Sequence, residues 1–591
     1  MIEPKKARRL GMVNWYDPPR LASTGVRVIV STVFGEFADR REAMGSANDH
    51  LPDTVDATQD YSNRNEDIWL DYIADTGDGW NSTYAMARLL AEDALQIGTD
   101  TLPRADVVIM GGDQVYPTAS RLDYYNRMQL PYDTAAKDKW SDDKQPDVYA
   151  IPGNHDWYDG LSSFMGLFAS RRAAVGKPDA KGRIIGGRAT RQTRSYFALK
   201  LPGNIWLWGT DLQLSGYTDQ PQIAFFDYVA KTWMSKGSSV ILCVAEPCWA
   251  NVDASERFSA AEQRFRTFSY MENRAALAGH TVRLILSGDS HHYARHIEGE
   301  RHYITAGGGG AFLHPTHQLT SPVRISSRYP EPDKAKTANK DQRYERAFNI
   351  AKTADTATES LFPDRATSSK LTAANAFFAI KNPAFTSVMI GVAFLFTWFL
   401  AANAHFSGEQ LQTLLATACS NSFWSGIVAY MTLTLMTPWT TLFAAAGWGC
   451  LFYFSDFRGN YGRLLSGTLH AVVHAVGLVF STLIIAQWLD GLSNATFWLT
   501  VLSSLAGGIL SSTVFGLYLF ISLNVFKRHA NEAFSSLAIP HYKNFLRIKI
   551  SRDGSITVYP IGLTTTPRDD RTDPPEHPEL KPHLIEPAIK P

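Results

Sequence analysis

The sequence predicts a chain of two characters: an α/β domain over residues 1–317, then an all-α bundle of membrane-spanning helices over 382–526 with a short β-hairpin behind it. Three observations carry this. Short apolar runs alternate with polar or helical stretches through residues 26–317, the pattern of an α/β domain. Long uncharged stretches between 384 and 526 are sufficient to cross a hydrocarbon core of ~30 Å. Two alternating runs then flank Asp553-Gly554, a hairpin signal.

At 591 residues the chain is about four times the ~150-residue domain prior, so more than one unit is expected. Its 57 basic residues balance 57 acidic ones. A formal net charge of +0 argues against general nucleic-acid binding, which rests on surplus Lys and Arg, and no specific nucleic-acid partner is expected. The four cysteines, Cys243, Cys248, Cys419 and Cys450, make neither a disulfide framework nor a zinc-binding spacing. The start, MIEPKKARRLGMVNWYDPP, is basic with no apolar stretch behind it; it is not a secretory signal, and the first domain is expected to stay where it is made.

The apolar runs fall at 26–34, 67–75, 105–113, 147–156, 204–211, 239–247, 282–290 and 302–310. Most end in a polar residue or a glycine turn. Side chains beyond the carboxyl ends of strands in α/β sheets collect in one crevice, so these endings are expected to converge. Residues 318–381, rich in Lys, Asp, Ala, Thr and Ser with little periodicity, read as a linker.

The membrane region reads as about four helices, at 384–404, roughly 433–454, 464–489 and near 496–520. The second is drawn from the uncharged run 410–455. Arg458, Arg463, Lys527 and Arg528 then share a side with the first domain, while the loops at Glu409 and Asp490 carry no Lys or Arg. Because Lys and Arg stay inside, the first domain and both termini are expected on the cytoplasmic side of the inner or plasma membrane. A second crossing within 410–455 would instead put the C-terminus outside. After the spans, 527–563 reads as a cytoplasmic segment whose runs 544–550 and 555–562 form the hairpin, and 564–591, with seven prolines, as a disordered tail.

The sharpest signal is a series of strand endings: Asp75-Thr76-Gly77-Asp78-Gly79, Gly112-Asp113-Gln114-Val115-Tyr116, Gly153-Asn154-His155-Asp156, Ala245-Glu246-Pro247 and Gly288-Asp289-Ser290-His291-His292. Each alone reads equally as a cap or turn. Their order resembles the calcineurin-like metallophosphoesterases, and within them is most similar to the purple acid phosphatase layout DxG, GDxxY, GNH(D/E), VxxH, GHxH. The resemblance spans about residues 26–317 and implies a four-layer α/β/β/α sandwich.

Two divalent cations side by side need one shared carboxylate, with hard oxygen or imidazole donors completing each shell, and Asp113 is the natural bridge. The resemblance implies that Asp75, Tyr116 and His291 serve one metal with Asp113, and that Asn154, Glu246 and Asp289 serve the other. It further implies that His155 stabilises the transition state or protonates the leaving oxygen, with Asp156 orienting it. Glu246 and Asp289 stand where the family has histidines. Carboxylates there make the second site harder, favouring Mn or Mg, with Fe or Zn as alternatives. Tyr116 either curls back to the metal, as a phenolate suited to ferric iron, or packs the turn before Pro117. Asp78 is either an added ligand or the cap of a helix starting near Asn81.

Further candidates are weaker. His292 and His296 stand beside the last motif as substrate contacts or idle loop residues, and His314 and His317 as rim groups. Arg188, Arg191 and Arg194 read as a clamp for substrate phosphate or anionic lipid, or as a solvated basic loop. Gly307–Gly310 permits close backbone approach to a ligand. His470 and His474 share one face of a membrane helix, for an interhelical hydrogen bond or a proton, haem or metal role. The expected function is a membrane-anchored, metal-dependent phosphoesterase that cleaves a phosphomonoester or phosphodiester, lipid-linked or nucleotide, with a metal-activated water at a binuclear site. The alternative is a non-catalytic membrane sensor or scaffold built on a degenerate site. A transporter lacks any clustered charge in the spans.

Overall fold

The computed structural model describes residues 8–19, 58–63, 66–137, 139, 146–169, 183–212, 218–250, 260–339, 342–353, 357–457, 459–568 and 579–591. The run at 26–34 and Arg458 lie outside the described residues. The chain forms two compact units. One comprises Met1–Val13, Ser23–Ser368 and Ala538–Pro591; the other comprises Asn14–Ala22 and Ser369–Leu537. The apolar unit is thus inserted within the sequence of the first.

The first unit is a sandwich of two sheets. One sheet runs His583–Leu584, Ile556–Leu563, Lys543–Ile550, Ile68–Ile73, Val107–Met110, Asp147–Ala150, Arg188–Thr190, Ile184–Ile185 in spatial order. Its four strands from Ile68–Ile73 to Arg188–Thr190 are parallel. The other sheet has ten strands, with Ile205–Gly209, Ser239–Cys243, Thr281–Ser287 and Arg301–Ala306 as its parallel centre. Alternation along each strand explains the layering. Ile68, Leu70, Tyr72, Val107 and Ile109 face the core between the sheets, together with Leu207, Ile241, Leu284 and Ile304. Ile73, Val108 and Met110 face the opposite way, onto a core shared with the helix Trp80–Ala91. Trp206, Val240, Leu242 and Ile285 pack beneath the helix Ala260–Leu277. The order is helix, sheet, sheet, helix. Central strands buried on both faces read as unbroken apolar runs, which is why they stand out in the sequence.

Three boundaries differ from the sequence expectation. Residues 318–381 are no linker: Val323–Ser327 and Tyr344–Ile350 pair antiparallel at the edge of the ten-stranded sheet, and Leu361–Phe362 pairs with Tyr293–Glu298. Their polar composition belongs to an edge hairpin with one wet face, where Arg324 and Glu345 sit 2.7 Å apart. The hairpin Lys543–Ile550/Ile556–Leu563 is not a separate element; its first strand pairs antiparallel with Ile68–Ile73, Leu546 opposite Tyr72. The tail is ordered where it is described. His583–Leu584 pairs with Ile561 and Gly562, Ile589 bridges Val558, and buried Glu586 meets Arg295 at 2.6 Å. Prolines cannot donate to a ladder but are tolerated on an edge strand, so a proline-rich composition did not preclude this. Residues 569–578 lie outside the described residues.

The inserted unit is all α. Pro383–Phe406, Gly459–Trp488 and Ala495–Phe526 are each long and apolar enough to cross a membrane. The expected span at 433–454 is instead broken: Phe423–Met436 and Pro438–Phe454 meet at 94°. Pro438 lacks an N–H and clashes with a continuing helix. Hydroxyls satisfy the freed carbonyls, Thr440 Oγ1 donating to Thr434 O at 2.7 Å and Thr441 Oγ1 to the same oxygen at 3.0 Å. Gly508 lets its helix meet Pro383–Phe406 closely, since a Cβ there would lie 2.5 Å from the Ile390 nitrogen. His470 stacks on Tyr518 at 4.1 Å and on His474 at 4.7 Å.

One buried pair joins the two sequence halves of the sandwich. Arg547 donates to both oxygens of Asp71, each at 2.8 Å, and both side chains are wholly buried. Arg547→Met strands that carboxylate, and unfolding followed by circular dichroism is expected to show a loss of about 3–5 kcal/mol, largely recovered when Asp71→Asn is added.

Candidate functional site

The strand endings singled out in the sequence do converge, at the carboxyl ends of strands from both sheets. Asp75 follows Ile68–Ile73, Asp113 follows Val107–Met110 and Asn154-His155-Asp156 follows Asp147–Ala150; Glu246 and Asp289 follow Ser239–Cys243 and Thr281–Ser287. Backbone bonds lace the first two endings together: Asp75 N donates to Gly112 O at 3.0 Å, Thr76 N to Asp113 O at 3.1 Å and Tyr116 N to Gly77 O at 2.9 Å. Asp75, Asp113 and Asp289 all hold positive φ, at 60°, 50° and 63°. Non-glycine residues rarely occupy that region, and such strain gathers at functional sites. Gly153 has no room for a side chain, because a Cβ would lie 2.1 Å from Asp113 Oδ1.

Tyr116 curls back to the centre. Its hydroxyl donates to Asp75 Oδ1 at 2.7 Å, lies 3.3 Å from Asp113 Oδ2 and stands 2.9 Å from His291 Nε2. Asp289 N donates to Asp75 Oδ2 at 2.9 Å, and His155 N to Asp113 Oδ1 at 2.8 Å. His291 Nδ1 faces the Phe312 carbonyl at 2.7 Å, which can only accept, so the proton is on Nδ1 and Nε2 is the basic nitrogen beside Asp75.

Burial and mutual repulsion dominate the electrostatics. Desolvation raises Asp75 to about 8, Asp289 to about 7 and Glu246 to about 7. Asp113 is pushed well above the carboxylate range by burial first, then by Asp75, Asp156 and Asp289. Carboxylates gathered in this way are relieved by cations. Among the described residues, no three His, Cys, Asp or Glu side chains are grouped so as to hold a metal ion as they stand. The donor set nevertheless fits one. Asn154 donates through Nδ2 to Tyr158 at 3.1 Å while its Oδ1, a hard donor, is buried without a hydrogen-bond partner.

Several expected roles are corrected. Asp156 does not orient His155; its carboxylate accepts from Tyr124, from Gly153 N at 2.9 Å and from Gln114 N at 3.2 Å, pinning the turn. The Pro117 carbonyl, 2.7 Å from His155 Nδ1, holds that ring, and burial keeps it neutral, lowered to about 4. Asp78 neither caps a helix nor faces the ligand cluster with an open oxygen: Oδ1 accepts from Val13 N at 2.6 Å and Oδ2 from Phe312 N at 3.2 Å, and the helix cap is Gly79. Arg188 is buried, with Nη2 on the Leu90 carbonyl at 2.6 Å; Arg191 pairs with Asp147 at 2.8 Å, at the far end of its strand; Arg194 lies over Tyr196. These three make no clamp. His292 and His296 are buried rather than exposed on a loop. Gly310 packs on the Asp75 loop, a Cβ there meeting the Thr76 carbonyl at 1.7 Å, so the glycine run serves backbone packing.

Two basic residues escaped the sequence reading. Arg264, on Ala260–Leu277, meets Glu246 Oε1 at 2.6 Å and also lowers Asp289. Lys543, on the returning hairpin, is wholly buried and acts on Asp78 and Asp75. Neither sits in a motif; helix register selects the first and strand pairing the second.

A sandwich of this kind with acidic loops at its carboxyl edge is the architecture of a metallophosphoesterase. Residues 69–293 match the family model for the calcineurin-like phosphoesterases. Two solved structures are similar in part. One is described as GAP50, the anchor in the inner membrane complex of Plasmodium, at 13% identity and a TM-score of 0.29, covering 49% of this chain and 90% of that one. The other is a structure of PhoD, at 12% identity and a TM-score of 0.26, covering 42% of this chain and 58% of that one. No curated protein matches.

If Asp156 pins the turn rather than serving His155, Asp156→Ala leaves the Gly153 and Gln114 amides unpaired. Chemical denaturation should then show a loss of about 2–6 kcal/mol, since each stranded buried donor costs about 1–3 kcal/mol.

Proposed function

We propose that the chain is a membrane-anchored, metal-dependent phosphoesterase acting on a phosphomonoester or phosphodiester. The observation that carries this is the meeting of Asp75, Asp113, Asp289 and His291 at one crevice with the unpartnered Oδ1 of Asn154. Asp75, Asp113, Tyr116 and His291 would hold one divalent cation. Asp113, Asn154, Glu246 and Asp289 would hold a second, oxygen-rich and suited to Mn or Mg. Bound there, the cations would supply Lewis-acid neutralisation of phosphoryl charge and activation of water.

The chain's own residues do the positioning. Arg264, anchored on Glu246 and about a third exposed at 34%, would meet the phosphoryl oxygens with its remaining donors. His155, its ring fixed through Nδ1, would present a basic Nε2 that takes the proton released by water and passes it to the leaving oxygen. In the reaction, water adds to phosphorus, the bond to the leaving oxygen breaks, and the proton released by water ends on that oxygen.

Strand pairing supports the anchoring and its direction. Lys543–Ile550 pairs with Ile68–Ile73, so the chain before and after the insert lies on one side of any membrane that the insert crosses. Crossings must then be even in number. Three long helices alone give an odd number, which favours counting the bent pair Phe423–Met436 and Pro438–Phe454 as a fourth span. Arg463, Lys527 and Arg528 then share the side of the phosphoesterase domain, the cytoplasmic side by the distribution of basic residues.

The purified full chain, freed of metal and given Mn, is expected to hydrolyse a chromogenic phosphomonoester or phosphodiester. Asp113→Ala and His155→Ala should lower kcat at least about 100-fold, and Arg264→Ala should chiefly raise KM. Folded, Mn-loaded protein inert toward both substrates would favour the non-catalytic sensor or scaffold, for which the Glu246–Arg264 pair, a protein cation at the second metal position, is the supporting feature.

A further inference from the structure

The candidate site is divided between the two sheets. Asp75, Asp113 and Asn154 stand beyond strands of the eight-stranded sheet, and Glu246, Asp289 and His291 beyond strands of the ten-stranded one. The halves meet through short polar contacts, among them Asp289 N on Asp75 Oδ2 at 2.9 Å and the Tyr116 hydroxyl beside His291 Nε2 at 2.9 Å. A slide of about 1 Å between the sheets would break both, since such bonds hold only over about 2.7–3.2 Å.

The C-terminal residues tie the same two sheets together close to His291. Their main chain lies on the eight-stranded sheet: Leu584 pairs with Ile561, Ile585 N donates to Pro560 O at 2.9 Å, and Ile589 and Val558 exchange two bonds of 2.8 Å. Between these anchors Glu586 turns its carboxylate to the ten-stranded sheet. Oε1 accepts from Arg295 Nε at 2.9 Å and from the Tyr293 hydroxyl, and Oε2 accepts from Arg295 Nη2 at 2.6 Å and from Ser360 Oγ at 2.8 Å. All four residues are buried. Tyr293 and Arg295 lie on the strand Tyr293–Glu298, which begins directly after His291-His292, and Ser360 precedes Leu361–Phe362, which pairs with that strand. A buried ion pair adds little net stability over apolar side chains of similar volume. What apolar contacts lack is direction: four donors converging on two oxygens fix where a strand lies, whereas packed hydrocarbon loses rigidity before it loses stability.

We propose that Glu586 is a positioning residue for the candidate site, a clasp that fixes the ten-stranded sheet against the eight-stranded one and so sets His291 at its distance from Asp75 and Tyr116. The inference rests on the metal reading above and adds to it a role for the C-terminal residues. Glu586 acts through Tyr293 and Arg295 on the turn that carries Asp289 and His291.

The test uses the full-length protein in detergent, freed of metal and titrated with Mn while free ion is read by electron paramagnetic resonance, at a temperature where every sample is folded. Thermal unfolding of the same samples is followed by circular dichroism. Two variants separate direction from stability. Glu586→Gln leaves Arg295 without its counter-charge and should lower both the melting temperature and the hold on Mn. Glu586→Leu combined with Arg295→Met and Tyr293→Phe makes the cluster apolar. It should melt close to wild type yet bind Mn about tenfold more weakly, the usual effect of losing a group that orients a metal ligand. A merely structural clasp predicts that Mn affinity returns together with stability, so a folded apolar variant that binds Mn as wild type does overturns the assignment of Glu586 alone. Folded wild type that takes up no Mn overturns the metal reading, and this inference with it. Should the apolar variant not fold, folded Glu586→Gln decides by the same tenfold difference; failure of both to fold marks the clasp as structural and overturns the proposal.

Discussion

The pairing of Lys543–Ile550 with Ile68–Ile73, sealed by Arg547 on Asp71, is the constraint from which the rest follows. Asp75 stands directly beyond the strand that this pairing covers. Without it, Ile68–Ile73 would be an edge strand with open backbone groups, and Asp71 would be a buried carboxylate with no cation. The chain cannot finish its eight-stranded sheet until the whole apolar insert has been made, and the tail repeats the arrangement when Glu586 closes on Arg295.

Charge governs the site itself. Asp75, Asp113, Glu246 and Asp289 are drawn into one buried crevice by backbone geometry, with positive φ at three of them, and their raised proton affinities express how poorly that suits bare carboxylates. One protein cation already answers part of this, Arg264 on Glu246. The Oδ1 of Asn154, buried and without a hydrogen-bond partner, adds a hard oxygen donor to this set.

Much of this was legible in the sequence, and the reasons it was or was not are physical. Parallel strands buried on both faces stand out as apolar runs, and the turns beyond them must carry small or polar residues, so Asp75, Asp113, Asn154 and Asp289 announced themselves. Contacts that depend on long-range pairing did not. Lys543 and Arg547 look like ordinary polar positions of an alternating strand until that strand is laid beside Asp71. Arg188 looks like a phosphate clamp until its guanidinium is found on buried carbonyls. Asp156 sits next to His155 in sequence, yet the turn directs its carboxylate to Gly153 and Gln114 and gives the imidazole to Pro117. Local adjacency was a poor guide wherever a tight turn intervened, and composition was a poor guide for the polar stretch around Val323–Ser327 and Tyr344–Ile350, which is an edge hairpin with one wet face.

The central claim is that divalent cations belong in the crevice between the carboxyl ends of the two sheets. Anomalous scattering from crystals soaked in Mn, recorded at the Mn absorption edge, tests it most directly. The account predicts anomalous density beside Asp113 and Asn154 Oδ1, with the Tyr116 hydroxyl moved from its place between Asp75 and His291. Density elsewhere on the molecule, or none while Tyr116 keeps those hydrogen bonds, contradicts it.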